Sequence, residues 1–142
     1  MEAHITDITH VIQLAVAPVF LLTAIATLIT GLNNRLGRIV DRRRVVEERL
    51  GQCAEQAARE FDAELNSLYR RTRLIYFAIL SAVLAALLIC VVVAGAFVGA
   101  LLAIDAAKTI AVIFILAMLA LILCLGLFLR EVFLAVTLGG HR

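Results

Sequence analysis

Thr23, Thr27, Thr30 and Asn34 follow one another at intervals of 4, 3 and 4 residues. On a helix that spacing sets all four on one face. Gln13 falls close to the same face, which continues to Arg38 and Asp41. Hydroxyls and amides arranged this way can do two kinds of chemistry. They can bond their own backbone or a neighbouring helix at a helix–helix contact. In an oligomer they can instead line a wet axis and replace part of an ion's hydration. Arg38 and Asp41 would then form charged rings at the mouth of that path, biasing which ions enter.

Arg130 and Glu131 form a second polar feature, directly after an uncharged run. They read as an intramembrane charge pair. One reading is an interfacial arginine that reaches for headgroups, with Glu131 as its local counter-charge. The other is a paired charge between subunits or at a gate. If the chain folds back near Asp105 to Lys108, Arg130 comes level with Ser81, about 10 Å inward from Arg73 at 1.5 Å per residue. His4, Asp7 and His10 are spaced by 3 and 3, so the two histidines drift apart around a helix and no metal site is expected. Cys53, Cys90 and Cys124 show no ligand spacing, so neither a disulfide nor a cofactor is expected. No nucleophile–base set or phosphate loop stands out, and an enzyme is not expected.

The elements that must position these residues are apolar. Of 142 residues 63% are hydrophobic, and the mean hydropathy is +1.04. Soluble domains run nearer 45–50% apolar, roughly. Three runs lack Asp, Glu, Lys and Arg altogether: Ile8 to Asn34, Leu74 to Ile104 and Thr109 to Leu129, of 27, 31 and 21 residues. A membrane span needs roughly 20 apolar residues. Three transmembrane helices are therefore expected, at about 9–33, 74–104 and 109–129, the last extending as far as 138. The leader before the first run carries Glu2 and Asp7 but no basic residue, unlike a secretory signal, so that run reads as a retained span.

Charge collects in one place. Ten arginines and seven acids lie between Arg35 and Arg73. Basic residues near span ends stay cytoplasmic. The expected topology has the N-terminus outside, the arginine-rich segment inside and the C-terminus cytoplasmic. Between 35 and 73 there is no proline, and Leu36, Ile39, Val46 and Leu50 are followed, beyond Gly51, by Ala58, Phe61, Leu65, Leu68, Thr72 and Ile75. This is a narrow apolar seam on two helices, interrupted at Arg43. The expectation is a cytosolic antiparallel hairpin turning at Gly51 and fraying through Cys53. Such a hairpin is either a solvated connector or a surface for a cytosolic protein partner. Its acids and lack of interleaved aromatics argue against nucleic acid. Arg42, Arg43 and Arg44 could also touch anionic membrane lipid.

Two stretches carry a resemblance. One runs Ile12-Gln13-Leu14-Ala15-Val16-Ala17-Pro18-Val19-Phe20-Leu21-Leu22-Thr23 and resumes at Asn34-Arg35-Leu36-Gly37-Arg38-Ile39-Val40-Asp41-Arg42. The other is Leu68-Tyr69-Arg70-Arg71, leading into Leu74-Ile75. Over almost the whole chain they resemble a family of small bacterial membrane proteins known as domain of unknown function 2721. The resemblance implies three spans in a bacterial inner membrane. It implies no activity. The fold class expected is thus an all-α membrane protein. The function expected is a homo-oligomeric ion or small-solute channel lined by the first span. The alternative is a non-conducting accessory or scaffold protein whose hairpin binds a partner.

Overall fold

In a computed structural model of the chain, residues 2–50, 55–102 and 106–139 are described. All of them except Ala106 are helical. Helix α1 runs Glu2–Leu50, α2 Glu55–Leu102 and α3 Ala107–Gly139. Each is long and apolar enough to cross a membrane. The expected turn at Gly51 and Cys53 lies outside the described residues, as does Asp105. α1 starts at Glu2 and so includes the leader; the side chains of His4, Asp7 and His10 lie outside the described ones. The helix also passes through Pro18.

The helices are longer than a bilayer needs. α1 has 49 residues and α2 has 48, so each measures about 70 Å against a hydrocarbon core of roughly 30 Å. Any crossing helix of this length carries several turns beyond the lipid. The composition matches: in α1 and α2 the arginines lie to one side of the uncharged run, from Arg35 onward in α1 and up to Arg73 in α2.

The chain divides into two compact units. The first comprises Met1–Ile29 and Ser81–Leu123, the second Thr30–Leu80 and Cys124–Arg142. In the first, Ile25, Ala82, Ala85, Ile89, Val92 and Ala117 are buried. Three of these six are alanines, and such small side chains let helix backbones approach closely where lipid offers no hydrophobic drive for association. In the second, the buried apolar residues are Leu32, Ile39, Val46, Leu68, Ile75, Ala78 and Cys124.

Within each helix the buried positions recur every seven residues. On α1 they are Ile25, Leu32, Ile39 and Val46; α2 carries two such rows, Leu68, Ile75, Ala82 and Ile89 beside Ala78, Ala85 and Val92, with Ser81 buried next to them; on α3 they are Ala117, Cys124 and Glu131. A seven-residue interval keeps one narrow seam turned toward neighbouring helices, as in coiled coils. Of the seam read between 35 and 75, Ile39, Val46, Leu68 and Ile75 are buried, whereas Leu36, Leu65 and Thr72 are half-buried. The side chains of Leu50, Ala58 and Phe61 are not among those described.

The interruption at Arg43 has a physical explanation in the second unit. The Arg43 guanidinium sits 4.8 Å from the centroid of the Tyr69 ring, and its Nε lies 3.1 Å from Glu47. The Tyr69 hydroxyl donates to the same Glu47 carboxylate at 3.4 Å. Arginine covers apolar surface with its stem and aromatic rings with its planar head, so it can take a seam position that a shorter charged residue could not. Nearby, Arg42 donates from Nε and Nη2 to Glu64. These contacts cross 22 residues of chain and place the charged part of α1 beside that of α2. The Arg42–Glu64 and Arg43–Glu47 pairs are partly exposed, so each is of modest energy, about 0.2–1 kcal/mol.

Candidate functional site

The charged residue with the least exposure among those described is Glu131, at 1%. It occupies the α3 seam position seven residues after Cys124. A lone carboxylate in that position would cost several kcal/mol, on the order of 3 or more. Two arginines compensate it. Arg35 on α1 donates from Nη1 to Glu131 Oε2 at 2.9 Å. Arg71 on α2 donates from Nη2 to Glu131 Oε1 at 2.9 Å. Each carboxylate oxygen thus takes one charge-assisted hydrogen bond, each from a different helix. The Arg35 guanidinium also stacks 4.9 Å from the centroid of Phe128, one turn before Glu131 on α3.

Placement of the clamp follows from the sequence of each helix. Arg35 is the first charge after the uncharged run of α1, Arg71 lies three residues before that of α2, and Glu131 lies two residues after that of α3. All three helices therefore offer a charge at the margin of their apolar run. Here an ion pair is partly shielded from water without being sunk in hydrocarbon. Arg35 keeps 41% of its side-chain surface exposed and Arg71 keeps 22%. The carboxylate is buried while its cationic partners reach the outside.

The structure gives Glu131 partners other than the adjacent Arg130. Arg130 is exposed, and the Glu131 carboxylate bonds Arg35 and Arg71 instead. Adjacent helical residues point about 100° apart, so neighbours in sequence do not face one another. No local pattern announces these partners, since they lie 96 and 60 residues away in the chain. The available signal was a single acid at the end of one uncharged run with arginines at the ends of two others.

Beside the clamp lies a recess of about 270 Å³ lined by Arg35, Arg38, Ile39, Arg71 and Glu131. Arg38, expected in a charged ring, borders this recess. Asp41 is exposed. The Nε of Arg71 is buried and has no hydrogen-bond partner.

The polar stripe of α1 lies on the other side of the helix. Thr23 and Thr27 flank the buried Ile25 by two residues; Thr30 and Asn34 flank the buried Leu32 in the same way; Asp41 follows the buried Ile39 by two. Two residues turn a helix by 200°, so each stripe residue points about 160° away from its seam neighbour. All five are exposed, as is Gln13. The Thr23 hydroxyl donates to the Val19 carbonyl at 3.3 Å and the Thr27 hydroxyl to the Thr23 carbonyl at 3.0 Å.

Three apolar helices with their charges gathered at the margins define a multi-pass α-helical membrane protein. The chain belongs to the family described as protein of unknown function (DUF2721), whose model matches residues 15–138. No curated protein and no solved structure matches it. Both stretches that carry the resemblance contribute to the recess: Arg35, Arg38 and Ile39 from one, Arg71 from the other.

Proposed function

We propose that the protein assembles with copies of itself so that the stripe of α1 faces a central axis, forming a path for an ion or small solute. The observation that carries this reading is the position of Thr23, Thr27, Thr30 and Asn34 opposite the buried seam of the same helix. A polar stripe turned away from its own subunit is poorly matched to lipid and is better covered by protein or water. α2 and α3 expose large apolar side chains along their uncharged runs, such as Leu84, Leu87, Leu119 and Ile122, and α1 does so at Val19 and Phe20; these suit lipid contact, and the threonine stripe does not. Three helices enclose no useful path alone, so the axis requires several copies. Asp41 stands at its charged end and favours cations there.

A second reading draws on the threonine hydroxyls. Thr23 and Thr27 already donate to their own helix, so they need no water and suit a dry contact between copies. The protein would then be a non-conducting scaffold, with the charged segment between 35 and 73 presented to a partner. Neither reading assigns catalysis to the chain.

Assembly is tested by cross-linking. In a background with Cys53→Ser and Cys90→Ala, leaving the buried Cys124, the Thr27→Cys and Asn34→Cys variants are expected to form disulfide-linked dimers on mild oxidation in membranes. Leu119→Cys, on the lipid side of α3, should not. Equal cross-linking at all three positions, or none at Thr27 and Asn34, would contradict the axial placement.

Orientation follows from the arginine asymmetry: we place the protein in an inner membrane with the N-terminus outside and the charged segment in the cytosol. A cysteine at Gln56 should react with impermeant maleimide only in inverted vesicles, and one at Ala3 only in intact cells. The opposite labelling pattern would reverse the topology.

A further inference from the structure

We propose that the recess formed by Arg35, Arg38, Arg71 and Glu131 is a binding site for the phosphate of an anionic phospholipid headgroup. Three guanidinium groups and one carboxylate line it, leaving an excess of two positive charges. Glu131 takes one nitrogen from Arg35 and one from Arg71. A guanidinium carries five N–H donors in a planar fork, so donors of both remain, together with those of Arg38. The buried Nε of Arg71 lacks an acceptor, an uncommon and costly condition for such a group. A tetrahedral oxyanion supplies several acceptors at once and matches arginine geometry better than any other common ligand. The volume of about 270 Å³ accommodates a phosphate with its ester substituents.

Position argues for lipid over a free anion. Every lining residue except Ile39 is a charge near the margin of an uncharged run, and headgroup phosphates stand at that level of a bilayer. The Glu131 clamp fixes Arg35 and Arg71 before any ligand arrives, so little side-chain ordering remains to oppose binding. Phe128, held against Arg35, gives an acyl chain an apolar surface beside the site. This inference requires only that the chain spans a membrane and is independent of whether it conducts.

The test uses the full-length protein in neutral detergent, titrated with dioleoyl phosphatidylglycerol and followed by native mass spectrometry and thermal melting. Wild-type protein should retain one lipid per subunit and melt higher in its presence. Arg38→Gln removes a recess donor without touching the clamp and should weaken binding about tenfold. Arg49→Gln makes the same charge change at an exposed position outside the recess and away from the Arg42 to Arg44 cluster and should bind as wild type. Dioleoyl phosphatidylcholine, with no net charge, should bind more weakly. Equal losses in Arg38→Gln and Arg49→Gln would reduce the effect to general surface charge and overturn the site. Inorganic phosphate that raised melting as strongly as the lipid, at the same concentration, would overturn the lipid assignment.

Discussion

Replacing Glu131 by glutamine is expected to lower stability by about 3 kcal/mol, a fall in melting temperature of roughly 10 °C for a chain of this size. Glutamine is nearly isosteric, so packing around the α3 seam survives. The charge does not. Arg35 and Arg71 then face each other across a neutral amide that can accept from only one of them well. Much of the loss comes from that uncompensated repulsion, and the partial exposure of both arginines keeps it below the largest values seen for buried pairs. A second substitution separates the causes. With Arg71→Gln added, one cation is removed and the double variant should recover part of the loss, giving a coupling of about 1 kcal/mol or more. The measurement is thermal melting in detergent for the two single variants and the double. Additive effects, or wild-type melting of Glu131→Gln, would show that the carboxylate does not bind the arginines in solution.

A comparable effect is expected at Val46. Val46 is 1% exposed and Val45, its neighbour, is 41% exposed. Val46→Asp sets an unpartnered carboxylate in the seam of the charged segment, at a cost of about 3 kcal/mol or more. Val45→Asp makes the same chemical change at an open position and should stay within about 0.5 kcal/mol of wild type. Limited proteolysis between residues 35 and 73 reads the difference. Rapid cleavage is expected for Val46→Asp, with a wild-type pattern for Val45→Asp. Identical digestion of the two variants would mean that α1 and α2 do not pack through Val46.

These pairs also show what a linear reading of the chain reaches. Uncharged runs of 27, 31 and 21 residues are dictated by the solvent, so the three long helices were legible without knowledge of any contact. The seam was partly legible. Ile39, Val46, Leu68 and Ile75 announce themselves by interval and side-chain type. Leu36 and Leu65 share the type yet are only half-buried, since a seven-residue interval selects a narrower stripe than hydrophobicity alone. Arg43 looked like a defect in the pattern because its role depends on Tyr69, 26 residues away. The clamp was the least legible feature. Glu131 sits beside Arg130 in sequence, and only the packing of three helices replaces that neighbour by Arg35 and Arg71. The stripe on α1 was readable as a face, but its direction was not. Its position opposite Ile25 and Leu32 emerges once the buried side of the helix is known.

Flux through reconstituted vesicles tests the axial path most directly. Vesicles holding protein whose oligomer has been verified by cross-linking should release a small-ion dye gradient faster than protein-free vesicles. Thr27→Leu, which replaces a hydroxyl on the axis by a larger apolar side chain, should narrow and dry the path and return release to the protein-free level, while melting as wild type does. Asp41→Asn should keep the flux and reduce its preference for cations. Wild-type oligomer that shows no flux above protein-free vesicles, under any ion gradient or voltage, would contradict the conducting role and leave the stripe as a contact between copies of a scaffold.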